Sequence, residues 1–116
     1  MTKQTSLENK KFLKKKQAAL KFFAQNLSQN LKREIKAVYL FGSLAHGKIE
    51  KDSDIDVLVF SDNPRKTSSF VWKTSLAVYE KFGESIEPLV YPSKKYENPN
   101  SYFLYQIINQ GKRLYP

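Results

Sequence analysis

A chain of 116 residues with 41% apolar and 14% aromatic side chains has material for a single domain over residues 1–116 with a modest core, at a size where roughly 60–70% of the unfolded surface is buried. No apolar run approaches the ~20 residues of a membrane span, and the basic stretch from Met1 to Lys16 lacks the apolar segment of a secretory signal, so a cytoplasmic protein without a membrane association is expected. Cysteine is absent and His46 is the only histidine, which excludes disulfides and thiolate or multi-histidine metal sites and leaves carboxylate oxygen, the ligand of Mg²⁺ or Mn²⁺.

The net charge of +9 suggests nucleic acid until it is located. Residues 1–36 hold ten of the twenty Lys and Arg against two acids, Glu8 and Glu34, so they carry +8 and the remaining 80 residues +1. In this segment Leu13, Leu20, Phe23, Leu27, Leu31 and Ile35 recur at spacings of three, four and seven, which predicts one basic amphipathic helix over about 7–35. Ala37 to Phe41 is short, β-prone and stopped by Gly42, as in a buried strand. Gly42 to Gly47 is a turn, Lys48 to Ser53 a polar loop, and Asp54 to Phe60 a second strand with an apolar run after its two acids. Ser61 to Asn63 supplies a cap and Pro64 a first helical residue for a helix over 65–82, ended by Gly83. Its apolar residues Val71, Ala77, Val78 and Phe82, with Trp72, Leu76 and Tyr79, form a wide stripe expected to lie on a sheet, and Phe70, Trp72, Tyr79 and Phe82 are expected in the core. Ser85 to Tyr91 reads as a third strand in which Pro88 requires an edge or strand-end position. A loop containing Pro92 and Pro99 leads to a helix near 101–110, with Gly111 in the place of its cap, and Lys112 to Tyr115 form a short final strand. The order α-β-turn-β-α-β-α-β describes an α/β (α+β) chain.

Alternation along the second strand puts Asp54 and Asp56 on one face and Ile55, Val57 and Val59 on the other, in the core. Two adjacent carboxylates resist joint ionisation unless a cation lies between them, which a divalent ion resolves by taking an oxygen from each. Upstream, Gly42 ends a buried strand and Ser43 opens a turn whose backbone N–H groups suit phosphate, with Gly47 reversing the chain. Taken alone, an Asp-x-Asp triplet is an ordinary solvated strand start and Gly-Ser an ordinary turn. On consecutive strands they are the two halves of a nucleoside triphosphate site.

Phe41 to Gly47 followed by Asp52 to Val59 resembles the signature of the DNA polymerase beta-type nucleotidyltransferase superfamily, and Ile107 to Tyr115 is similar to that family's end. In its short length the chain resembles the minimal nucleotidyltransferases. The resemblance implies a small mixed β-sheet of about four strands flanked by helices. It also implies two-metal nucleotidyl transfer, two Mg²⁺ ions about 3.5–4 Å apart assisting in-line attack on the α-phosphate of ATP. Asp54 and Asp56 are implied as metal ligands and catalytic residues, with Gly42, Ser43 and Gly47 binding the nucleotide. Glu87 is implied as the third carboxylate and metal ligand, where many relatives have Asp. Glu84 competes for that role from the adjoining turn, and Glu87 also reads as a plain exposed edge-strand acid. Relatives often carry Arg in the turn where this chain has Leu44 and His46, so cationic help is left to Lys48, Lys51 or Lys73. His46 reads as a turn or supporting residue rather than a proton shuttle.

Minimal enzymes of this kind resemble antitoxins that silence an all-helical HEPN toxin by moving AMP from ATP to a toxin tyrosine, which makes a HEPN partner the leading expectation. The rival readings are a nucleotide-binding antitoxin that masks its partner by contact, and transfer to an RNA end guided by the basic helix, whose lysines serve equally as a solvated face.

Overall fold

The computed structural model describes residues 3–47 and 50–115, with side chains from residue 11 onward. Its elements are α1 (Lys3–Asn30), β1 (Ile35–Phe41), β2 (Ile55–Ser61), α2 (Pro64–Phe82), β3 (Ile86–Pro92), α3 (Ser93–Glu97), α4 (Tyr102–Gln110) and β4 (Lys112–Tyr115). The strands make one sheet in the order β3-β2-β1-β4. β1 is antiparallel to β2 and β4, whereas β2 and β3 are parallel, and α2 makes the crossover that parallel pairing demands. This is the mixed four-stranded sheet expected from the sequence, with Pro88 on an edge strand where its missing N–H costs no ladder bond.

Each face of the sheet carries its own apolar layer. On one, Val38, Leu40, Ile55, Val57 and Val59 pack under α1 and α2, with Phe23, Leu27, Val71 and Val78. On the other, Ala37, Tyr39, Leu58 and Phe60 meet Leu104 and Ile107 of α4, and Tyr96 of α3 lies against the rings of Tyr39 and Phe60. β2 is therefore apolar on both sides and sits at the centre of the molecule. Asp56 shares the parity of Leu58 and Phe60, so it emerges at the end of this second layer.

Local chemistry sets the element ends. The Asn63 side chain accepts from the Lys66 N–H (3.3 Å) and Pro64 begins α2, while Gly83 closes it in the left-handed region. Ser101 Oγ accepts from the Leu104 N–H (3.2 Å) at the start of α4. Gly111 follows α4 with extended dihedrals. Its glycine serves packing, since a Cβ there would lie 2.6 Å from Ile107 O and 2.9 Å from Leu40 O.

The structure corrects four expectations. α1 ends at Asn30, five residues short of the expected end; the Ile35 N–H donates to Leu31 O across a turn and Ile35 starts β1 opposite Ser61. Ile35 continues the helical spacing only because turn and strand deliver it to the same core as Leu31. β2 spans Ile55–Ser61 rather than 54–60, leaving Asp54 just ahead of it. The stretch after Pro92 is not all loop: it holds the short helix α3, whose five residues are too few to show a period. Trp72, Leu76 and Tyr79 are 61%, 64% and 62% exposed, so they are not core. The sheet-facing stripe of α2 is instead Thr67, Val71, Thr74, Ser75 and Val78, with small polar residues filling the close helix–sheet contact. Phe70 and Phe82 do pack on the core cluster as half-buried rings.

Phe23→Ala is expected to cost about 3–5 kcal/mol in urea unfolding, through the cavity it leaves between α1 and the sheet. Trp72→Ala should stay within about 0.5 kcal/mol of wild type. A large loss from Trp72→Ala would contradict its exposure.

Candidate active site

β1 ends at Phe41, and Gly42 (φ +76°) carries the chain off the sheet. The next residues form a compact turn in which the His46 N–H donates to Ser43 O (3.2 Å) and the Gly47 N–H to Leu44 O (3.3 Å). Leu44 is buried in the layer beneath α1 and α2 and fixes the turn to the core, whereas His46 is exposed at the turn's far end. Phe41 is the antiparallel partner of Asp56, so the turn opens beside that carboxylate. A Cβ on Gly42 would fall on Asp56 Oδ2 and lie 3.1 Å from its Cγ. Glycine is thus required here both by backbone conformation and by space.

Asp56 is flanked on the other side by Glu87, its parallel partner on β3. Asp54, exposed on the approach to β2, completes the group. The Glu87 carboxyl is pushed above the usual carboxylate range by a hydrogen bond with Asp54, then by the charge of Asp54, by desolvation and by the charge of Asp56. Asp56 is pushed up first by its partial burial and then by the charge of Asp54. Three carboxylates therefore meet at one end of the sheet, beside a cleft of about 530 Å³ lined by Phe41, Asp56, Trp72 and residues 85–89, a volume in the range of small-ligand sites. An all-oxygen set of mutually repelling acids suits a hard divalent cation. Among the described residues, no group of three or more His, Asp or Glu side chains already stands placed to hold a metal ion.

Residues 24–116 match the family described as Polymerase beta, Nucleotidyltransferase. The chain belongs to this family. It is 29% identical over 98 residues to MJ0604 of Methanocaldococcus jannaschii, described as a candidate protein adenylyltransferase, the alignment covering 84% of this chain and 95% of that protein. Among solved structures, a mutant of the MntA-HpeT toxin-antitoxin superposes with a TM-score of 0.57 at 21% identity, over 78% of this chain and 68% of the other. A toxin-antitoxin structure with AMP-PNP superposes with a TM-score of 0.56 at 23% identity, over the same shares. These two likenesses show a common fold.

In this nucleotidyltransferase the other sequence candidates are distributed as follows. Glu84 is buried, with Oε1 accepting from Lys16 Nζ at 2.6 Å and Oε2 lying 3.9 Å from Lys15 Nζ, so its carboxylate is engaged away from the acidic group. Lys51 and Lys73 are exposed, and Lys48 lies outside the described residues. Lys16 was not singled out by sequence reasoning, although it is 1% exposed and also donates to Ser53 O at 2.6 Å. Its signal lay in the seven-residue gap between Leu13 and Leu20: Lys16 fills the missing apolar position, and Leu13 is 37% exposed. A lysine standing in the core register of a helix needs an internal partner.

Raised carboxyls bind their protons more tightly in the native chain than in the unfolded one. The stability they confer is full below the unfolded carboxylate value of about 4 and is lost as pH rises through the elevated native values. Asp56→Asn should therefore raise the melting temperature of the EDTA-treated protein at about pH 7, with the gain over wild type shrinking toward about pH 4. A wild-type melting temperature at neutral pH would show that Asp56 is not under this repulsion.

Proposed function

We propose that this nucleotidyltransferase is a magnesium-dependent protein adenylyltransferase that moves AMP from ATP to a tyrosine hydroxyl of a helical HEPN toxin, and so acts as the antitoxin of a pair. The observation that carries this reading is the placement of Asp54, Asp56 and Glu87 beside the Gly42-Ser43 turn, with Asp56 between the turn and Glu87. In support, MJ0604 is described as a candidate protein adenylyltransferase, and the structures of the same fold are of the MntA-HpeT toxin-antitoxin and of a toxin-antitoxin with AMP-PNP.

In this reading Ser43 Oγ and the turn through Gly47 hold the β- and γ-phosphates. Asp54 and Asp56, with Glu87 for a second ion, would hold Mg²⁺, which would neutralise charge on the triphosphate and on the leaving pyrophosphate. The acceptor hydroxyl comes from the β3 side, where Glu87 orients it and receives its proton, a task helped by a carboxyl more basic than an isolated one. The new bond joins the acceptor oxygen to the α-phosphorus, the bond from that phosphorus to the α–β bridging oxygen breaks, and pyrophosphate leaves with the electron pair. The exposed Trp72 and the cleft beside Glu87 leave this side open to a protein acceptor.

Incubation with α-labelled ATP, Mg²⁺ and the product of the neighbouring gene should label that protein. Asp54→Asn, Asp56→Asn and Glu87→Gln should each reduce labelling on the order of 10²-fold or more, with ATP binding retained in Glu87→Gln. Toxin inhibition that persists undiminished in all three variants would replace transfer by masking.

A further inference from the structure

The carboxylates that the proposed reaction uses come from two segments with no covalent reason to keep a fixed separation: the loop entering β2, which carries Asp54, and the turn entering β3, which leads to Glu87. We infer that Lys16 of α1 is a positioning residue that sets this separation. Its ammonium group is bonded at once to Ser53 O and to Glu84 Oε1, both at 2.6 Å. Ser53 is the residue before Asp54, and Glu84 lies three residues ahead of Glu87. The Ile55 N–H donates to Ser85 O at 2.8 Å, and the parallel register begins at Ile55 and Ile86. One buried cation thus ties both strand entrances to the helix behind them.

Stability alone is a poor account of this arrangement. Burying a lysine and a glutamate costs desolvation that their attraction roughly offsets, and apolar residues of similar volume often serve a core as well or better. What an apolar pair cannot do is bind a carbonyl oxygen on one strand entrance and a carboxylate on the other. An ammonium group can donate up to three hydrogen bonds, and two of them are spent on these partners. The lysine also brings its charge into the end of the molecule where three acids collect. The inference rests on the proposed reading of Asp54 and Glu87 as metal-binding acids, and it predicts a property of the chain by itself, without toxin or turnover.

The test compares Lys16→Met/Glu84→Gln, which removes the ammonium without stranding a charge, with Glu84→Gln, which keeps an oxygen for Lys16 to bind. Mn²⁺ binding is measured by titration, with each protein shown folded by circular dichroism, and hydrogen exchange is followed at the Ile55 amide. Residues that orient metal ligands typically contribute about 10–100-fold to metal affinity. The double variant should weaken Mn²⁺ binding by at least about tenfold and speed exchange at Ile55 relative to Val57 and Val59, while Glu84→Gln stays within about threefold of wild type. Wild-type Mn²⁺ affinity in the folded double variant overturns the inference, and so does an equal loss in both variants, which would assign the effect to the Glu84 carboxylate rather than to Lys16. Should the Met-Gln pair not fold, Lys16→Gln/Glu84→Gln carries the same test, its two amides able to pair but too short to span to Ser53. A wild-type chain that binds no Mn²⁺ would sink the metal reading by itself, and Ile55 exchange then decides the clamp: faster exchange in the double variant sustains it, and equal exchange ends it.

Discussion

Repulsion among Asp54, Asp56 and Glu87 is the force that the rest of this structure has to contain. Without a cation the three carboxylates gain by moving apart or by holding a proton: Asp56 is raised first by its partial burial and then by the charge of Asp54, and Glu87 first by its hydrogen bond with Asp54 and then by that neighbour's charge. A flexible chain would relax it by fraying the ends of β2 and β3. Here β2 is packed on both faces, from Val57 and Val59 under α1 and α2 to Leu58 and Phe60 under α3 and α4. The apolar layers thus hold in place a polar group that by itself opposes folding.

The same constraint explains why residues of such different kinds cluster at this end of the sheet. The Asp56 side chain occupies the space of a Cβ on Gly42, which adds to the left-handed backbone there in favouring glycine at the start of the strand-ending turn. Glu87 reaches Asp56 because β3 is parallel to β2, and that pairing exists because α2 carries the chain back across the sheet. The crossover helix is stopped by Gly83, and the next residue is the buried Glu84 that receives Lys16. Helix stop, ion pair and acidic strand thus follow within five residues, and a shift in any one would move Glu87 relative to Asp54.

How much of this was legible in the sequence depends on whether it was written locally. The Gly42-Ser43 turn, the Asp56 strand, the Asn63-Pro64 start and Gly83 stop of α2, and the edge placement of β3 follow from residue pattern over a few positions, and they read correctly as structure. The meeting of Glu87 with Asp54 depends on a parallel register set across about thirty residues, which no local pattern encodes; the family resemblance suggested it. Ile35 was read as helical because a core accepts an isoleucine at the same spacing from a helix or from a strand that follows a turn. Trp72, Leu76 and Tyr79 were placed inside because apolar character was taken for burial, although most of a helix's circumference need not face the sheet. Lys16 was passed over for the opposite reason: charge was taken for exposure.

That last misreading bears on the charge of the whole molecule. The basic excess in residues 1–36 looked like the footprint of a nucleic-acid-binding helix, yet one of its lysines faces inward toward the entrances of β2 and β3. The remaining exposed lysines act at longer range, within about a Debye length of 8–10 Å in physiological salt. A positive molecule draws an anionic nucleotide toward it, while three carboxylates at the site repel the same nucleotide on close approach. In the proposed reaction the two fields would act together only when a divalent cation accompanies the triphosphate, so the charge distribution fits a metal-bound nucleotide better than a free one.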